Sequence, residues 1–241
     1  MMAIRPLLVP CLLLATASVG ARAEPRTYAI DPVHTRVVFA IDHAGFSKAL
    51  GAVSGSTGTL HFNPDDWGSA RVEVEVPLAR LDLGDADWNR AALARNLLDV
   101  AEYPVARFVS TRVEPVDATR AIVHGTLALH GVEREVALEV VLNAAKRYPL
   151  PPFRRTVGFS ASTEISRADF GITAWKSVIG DRVELRIEAE AARSRGAGDS
   201  DTDSDAADPG DSATRDAATP ATSVDAPSTP GPAPSQQDSP P

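Results

Sequence analysis

Hydrophobic and polar residues alternate with a period of two over most of the chain between Glu24 and Arg193. Arg71-Val72-Glu73-Val74-Glu75-Val76 and Arg182-Val183-Glu184-Leu185-Arg186-Ile187-Glu188 alternate strictly. Val37, Phe39 and Ile41 fall on one face, as do Val157, Phe159, Ala161, Thr163 and Ile165. Successive side chains of a strand point to opposite sides, so each segment reads as a strand with one wet and one buried face. Gly58 to Phe62, Ala106 to Glu114, Ala121 to Leu129 and Val136 to Leu142 complete the set of predicted strands. Turn residues separate several of them: Asn63-Pro64-Asp65-Asp66, Pro115-Val116-Asp117-Ala118 and His130-Gly131. Many short strands without long intervening helices predict an all-β fold, an antiparallel barrel or sandwich.

One stretch breaks the period. From Asp87 to Leu98 the apolar positions Trp88, Ala91, Ala92, Leu93, Leu97 and Leu98 follow helical spacing, with Asp85 or Asp87 as N-cap. Tyr103-Pro104 returns the chain to a strand. A second short helix is expected over Gly45 to Leu50.

The two ends of the chain change the picture. Arg5, the apolar run Leu7 to Val19 and Ala21-Arg22-Ala23 form a secretory signal, residues 1–23, cut before Glu24. The mature protein is therefore expected to be periplasmic. Cys11 is the one cysteine and lies inside the signal, preceded by Pro10, which does not suit lipidation. The mature chain thus has neither disulfide nor thiolate chemistry. Residues 195–241 hold nine Asp and two Arg and no aromatic residue. Such a tail cannot bury enough apolar surface to order itself and is expected to be disordered, as a spacer or a dispensable extension. It carries most of the net charge of −8. The part between, residues 24–194, is close to neutral and has no basic patch for nucleic acid.

Candidate chemistry is sparse. His34, His43, His61, His124 and His130 show no metal-ligand spacing. No serine sits in a Gly-x-Ser-x-Gly elbow, and Ser110, Ser160 and Ser162 lie in strands without a motif. Glu73 and Glu75 belong to a wet strand face. Gly51 to Gly58 is glycine-rich but leads into a strand, not a helix, and so lacks phosphate-binding geometry. No catalytic residue and no metal site is assigned. Arg167-Ala168-Asp169-Phe170-Gly171 is the sharpest cluster, read as a strand-end turn in which Arg167 and Asp169 bond to the backbone and to each other, while Phe170, Ile172 and Trp175 plug or line a barrel mouth.

Several motifs occur in a family's order: Tyr28-Ala29-Ile30-Asp31-Pro32-Val33-His34-Thr35, Gly58-Thr59-Leu60-His61-Phe62-Asn63-Pro64, Leu97-Leu98-Asp99-Val100 with Tyr103-Pro104 and Phe108, Gly125-Thr126-Leu127-Ala128-Leu129-His130-Gly131, and Ile165-Ser166-Arg167-Ala168-Asp169-Phe170-Gly171-Ile172 with Gly180-Asp181-Arg182-Val183. From about Tyr28 to Ala191 the chain resembles the YceI-like family of exported, lipocalin-like, polyisoprenoid-binding barrels. Thr35 stands where that family usually has Ser, and Ala128 near a usual Thr. The resemblance implies an eight-stranded antiparallel barrel with one or two short helices and an elongated apolar interior. It also implies an isoprenoid lipid ligand, a quinone or polyprenyl type, with no other cofactor.

An eight-stranded barrel is either filled by its side chains or holds one ligand. The inward set is read as the rings Phe39, Phe62, Phe108 and Phe159 mixed with the small residues Ala40, Ala106, Ala128 and Ala161. From residues alone a solid core competes with a hollow one; the resemblance favours the hollow one. The expected ligand contacts are Phe39, Ile41, Phe62, Phe108, Leu127, Phe159, Phe170 and Trp175, with His34, His43 and Arg167 as candidate head-group contacts. Local hydrogen bonding is the competing role for the two histidines, His34 pinning the first strand. The expected function is a non-catalytic lipid carrier or reservoir. A module presenting a quinone to a membrane redox protein and a lipid-modifying enzyme are the alternatives, and a homodimer is left open.

Overall fold

The computed structural model describes residues 24–194; the signal segment and the acidic tail lie outside the described residues. Eleven strand segments form one sheet: β1 (Arg26–Ile30), β2 (Arg36–His43), β3 (Ser47–Ser54), β4 (Thr57–Phe62), β5 (Arg71–Pro77), β6 (Leu81–Asp82), β7 (Val105–Pro115), β8 (Arg120–Leu129), β9 (Val132–Arg147), β10 (Arg155–Ser166) and β11 (Ile179–Arg193). These are eight strands, because three are bent. β1 and β2 both pair with β11, β4 pairs with β1 while β3 pairs with β2, and β5 pairs with β4 while β6 pairs with β3. Each pair of segments is one strand interrupted at residues 31–35, 55–56 or 78–80. All pairings are antiparallel, and β11 closes the sheet onto β1 and β2. The molecule is an eight-stranded antiparallel barrel, closed through β11, in which the short β6 pairs on one side with β3.

Two bulges set which residues face inward. Thr111 is an extra residue on β7 between the pairs Ser110↔Gly125 and Arg112↔His124. Inward positions on β7 are therefore Ala106, Phe108 and Ser110 above it and Val113 below it. The buried Ser110 hydroxyl accepts the Val72 amide at 2.9 Å. Asn143 is the matching extra residue on β9, between Leu142↔Phe159 and Ala144↔Gly158.

The barrel is packed at one end. Tyr28, Ile30, Leu60, Phe62, Trp67, Ala70, Val113, Ala121, Val123, Val157 and Ala191 form a continuous buried cluster. It lies where β1, β4 and the ends of β7, β8, β10 and β11 meet. Phe62 meets Trp67 edge-to-face at 5.1 Å and Phe159 at 5.3 Å, and Trp67 meets Phe159 at 6.1 Å. Such T-shaped contacts suit the ring quadrupoles. They make a solid floor.

The helix is shorter than the periodicity suggests. α1 spans Ala86–Leu93, with the Asp85 carboxylate accepting from the amides of Asp87 (2.9 Å) and Trp88 (3.0 Å). Ala94 is extended, and the chain folds back on the helix end, the amides of Leu98 and Val100 bonding to the carbonyls of Ala92 and Leu93. That reversal turns Leu97 and Leu98 to the barrel interior, so burial overrides local spacing. The helix expected over Gly45 to Leu50 does not form. Ala44 and Gly45 have φ of 54° and 73°, a tight turn, and β3 starts at Ser47 with Ala49, Gly51 and Val53 on its inner face.

No residue of α1 is fully buried, so its first turn depends on the cap. Asp85→Ala should destabilise the helix by about 1 kcal/mol. The change should be visible as faster amide exchange over 86–93; unchanged exchange there would contradict this account of the helix.

Candidate functional site

Above the floor the barrel is hollow. A cavity of about 630 Å³ runs through it and opens at the end that carries α1, the β2–β3 turn and the loop between β10 and β11. The cause lies in the wall. Phe39 pairs across strands with Gly51, and Phe108 lies over Gly125. A Cβ at either glycine would overlap the ring. Without it, each ring lies flat against the wall and does not project across the axis. A phenyl ring placed this way adds apolar surface and takes little of the lumen.

Phe39, Ile41, Phe62, Phe108, Leu127, Phe159 and Trp175 all line this cavity, together with Ala106 and Ala161. Phe170 does not. It is 1% exposed and packs within the short 3₁₀ turn Ala168–Phe170, where its carbonyl accepts from His130 Nδ1 at 3.1 Å. Ala40 and Ala128 also face outward, because Phe39 and Leu127 next to them face inward and adjacent strand residues cannot share a face. Residues that alternation alone places inward but that were not singled out include Leu138, Val140 and Ile187. Trp88, Leu97 and Leu98 reach the cavity from α1 and the turn after it.

The two candidate histidines are far apart. His34 precedes β2 and His43 ends it, so about 26 Å of strand separates them at roughly 3.3 Å per residue. His34 lies outside the cavity. Its Nδ1 is 2.9 Å from Asp31 Oδ2, which holds the imidazole's pKa above its ordinary value. Burial pushes the Asp31 carboxyl up, but hydrogen bonds from His34 and from the Val33 and His34 amides leave it below its ordinary value. This is the local hydrogen bond expected of His34, and it pins the bend between β1 and β2. His43 lines the cavity at its mouth and packs on Trp88 with ring centroids 5.2 Å apart.

Arg167 also lines the cavity, yet its donors are engaged. Nε donates to the Gly180 carbonyl, Nη1 to Ile172 and Nη2 to Ile179, all within 2.9 Å. Burial lowers the guanidinium pKa, and nearby Asp181 raises it in part. The partner carboxylate is Asp181, which accepts the Ala168 amide at 3.0 Å, not Asp169. Arg167 therefore ties the turn after β10 to the start of β11. Among the described residues, the polar side chains of His43 and Asn96 make no protein hydrogen bond although both line the cavity. Ser56 Oγ, fully buried at the bend between β3 and β4, has no partner either.

His124 and His61 bond locally, to Glu114 and Thr27. The Ser160 hydroxyl donates to Glu188 and accepts from Asn143. Among the described residues no group of three His, Cys, Asp or Glu is placed to hold a metal, and no helix is long and apolar enough to cross a membrane.

Two substitutions test this geometry. Gly51→Val should force the Phe39 ring into the lumen, costing about 1–3 kcal/mol and reducing uptake of an apolar fluorescent dye; full dye uptake would show that the ring does not depend on Gly51. Arg167→Lys cannot reach three divergent carbonyls and should lower stability by about 3 kcal/mol in chemical denaturation. An unchanged midpoint would remove the clamp assigned to Arg167.

Residues 28–191 match the family model described as YceI-like domain. A UPF0312 protein of Pseudomonas savastanoi is 33% identical over 164 residues, which cover 67% of this chain and 84% of that protein. A UPF0312 protein of Pseudomonas putida is 32% identical over the same shares. Among solved structures, Burkholderia cenocepacia BcnA superimposes with a TM-score of 0.60 at 22% identity, covering 67% of this chain and 98% of that one. A polyisoprenoid-binding domain from Saccharophagus degradans, implicated in plant cell wall breakdown, superimposes with a TM-score of 0.54 at 17% identity, covering 69% and 98%. These structures share the fold, and the family match spans two thirds of the sequence: the chain belongs to the YceI-like family.

Proposed function

We propose that this protein binds one long-chain isoprenoid lipid, of polyprenyl or quinone type, inside the barrel, and serves as a periplasmic carrier or reservoir for it. The observation that carries this reading is the cavity of about 630 Å³, walled almost wholly by aliphatic and aromatic side chains and closed at one end by the Phe62–Trp67–Phe159 floor. Its volume falls within the range usual for ligand sites. The YceI-like family and the fold shared with a polyisoprenoid-binding domain support it.

The energetics favour the tail as the source of affinity. At about 0.8 kcal/mol per buried CH₂, a five-carbon isoprene unit contributes on the order of 3–4 kcal/mol before ordering costs. One neutral head-group hydrogen bond contributes about 1 kcal/mol net. Tail length therefore sets affinity and the head sets register. His43 and Asn96, with their polar atoms unengaged at the mouth, are the head-group contacts in this reading, with the head outward and the tail towards the floor. A quinone in the same place would make the barrel a presenting module for a membrane redox partner.

Organic extraction and mass spectrometry of protein purified from its native host test the proposal. An isoprenoid present at near-stoichiometric amount is expected. Repeated extraction yielding only trace phospholipid would overturn it. Ala161→Phe, which fills the lumen midway, should shift the extracted species towards shorter tails, while His43→Ala should leave tail length unchanged.

A further inference from the structure

Three aromatic side chains ring the open end of the barrel in a way that the cavity itself does not require. Phe46, at the β2–β3 turn, is 92% exposed; Trp175, in the loop before β11, is 60% exposed; Trp88, on α1, is 45% exposed. They come from three separate elements held against one another. The Ala44 amide donates to the Val178 carbonyl at 2.6 Å, Ile179 pairs with His43, and the His43 ring packs on Trp88. Phe46 is not a loosely placed residue. The turn beneath it is fixed by the Phe46 amide donating to the His43 carbonyl (3.1 Å) and by Asp42 Oδ2 accepting the Gly45 amide (3.2 Å). A rigid turn thus holds a phenyl ring out in water.

We propose that this rim is a membrane-docking surface, in which Phe46, Trp88 and Trp175 enter the interfacial layer of a phospholipid bilayer and set the cavity mouth against it. The proposal rests on reading the cavity as a lipid site. Two observations select a bilayer as the occupant. First, Trp88 and Trp175 belong both to the cavity lining and to the outer surface, so apolar surface runs unbroken from lumen to solvent. A lipid leaving a bilayer through such a mouth would not have to cross water. Second, the charged groups near the rim are engaged within the protein: Lys48 pairs with Glu184, Arg90 with Asp87 and Arg182 with Glu164, while Asp42, Asp82, Asp85 and Asp181 accept backbone amides. A rim of aromatic tips whose neighbouring charges are held by local bonds fits the layer where Trp rings settle at bilayer surfaces. A second pair of exposed apolar side chains, Leu150 and Phe153 on the β9–β10 turn, lies at the floor end, where the barrel does not open.

Flotation of the full chain with vesicles of phosphatidylethanolamine and phosphatidylglycerol, repeated with phosphatidylcholine alone, tests the rim. The chain should float with both. Phe46→Ser, which does not touch the cavity, should weaken vesicle affinity about tenfold, Phe46→Trp should retain it, and Phe153→Ser should change it by less than about twofold. Thermal melts of the variants check that the barrel is intact. The proposal is overturned if Phe46→Ser floats as the native chain does, if Phe153→Ser loses as much, or if the native chain stays in solution. The same samples are extracted and analysed for lipid. A chain that carries isoprenoid but does not float removes the docking surface and leaves the cavity reading standing. A chain that floats through Phe46 but yields no isoprenoid keeps the docking surface and removes the cargo.

Discussion

The hollow in this protein depends on glycine facing phenylalanine across neighbouring strands. Eight closed strands enclose a space that ordinary core side chains would fill. Phe39 over Gly51 and Phe108 over Gly125 lay their rings along the wall, where a Cβ on either glycine would collide with them. The same ring type does the opposite at the floor. Phe62 and Phe159 meet Trp67 edge-to-face and shut the barrel. One residue type thus lines one half and seals the other, and what decides between them is the size of the side chain opposite.

That division follows the three bends. Below the interruptions at 31–35, 55–56 and 78–80, the β1, β4 and β5 segments belong to the packed end; above them, β2, β3 and β6 with α1 surround the opening. The bends are held by polar contacts, buried at Thr35 and exposed at the other two. The Thr35 hydroxyl bonds to the Glu190 backbone, Asp31 clasps His34, and Arg80 reaches the Ser54 hydroxyl. At the mouth, Arg167 does the same for the turn after β10 by filling three carbonyls. Stability is therefore concentrated at the floor and at these fasteners, while the aromatic tips Phe46, Trp88 and Trp175 around the opening stay exposed.

Much of the fold was legible because strand periodicity is a strong signal when one face is wet. β2, β5, β10 and β11 stand where the alternation of Val37 to Ile41, Arg71 to Val76, Val157 to Ile165 and Arg182 to Glu188 puts them. Seven of the eight expected lining residues reach one cavity: six sit on inward positions of their strands, and Trp175 reaches it from the loop before β11. Phe170 fails since a local 3₁₀ turn, not a strand, sets its direction. Gly45 to Leu50 reads as helical only until the hairpin is known: the left-handed conformations of Ala44 and Gly45 come from the pairing of His43 with Ser47. α1 stops at Leu93 because the chain gains more from turning Leu97 and Leu98 inward than from another helical turn. The bulges at Thr111 and Asn143 leave no mark in composition at all, since an extra residue changes phase and not content.

Those two extra residues give the wall a phase that changes along its height. On β7 even-numbered side chains face the lumen down to Ser110, and odd-numbered ones take over by Val113. Were Thr111 taken into the ladder without the bulge, Arg112 and Glu114 would turn towards the oily floor; the bulge keeps Val113 there instead. A one-residue slip of register there reverses a stretch of wall like a glove, whereas several residues added between β10 and β11 only lengthen a loop.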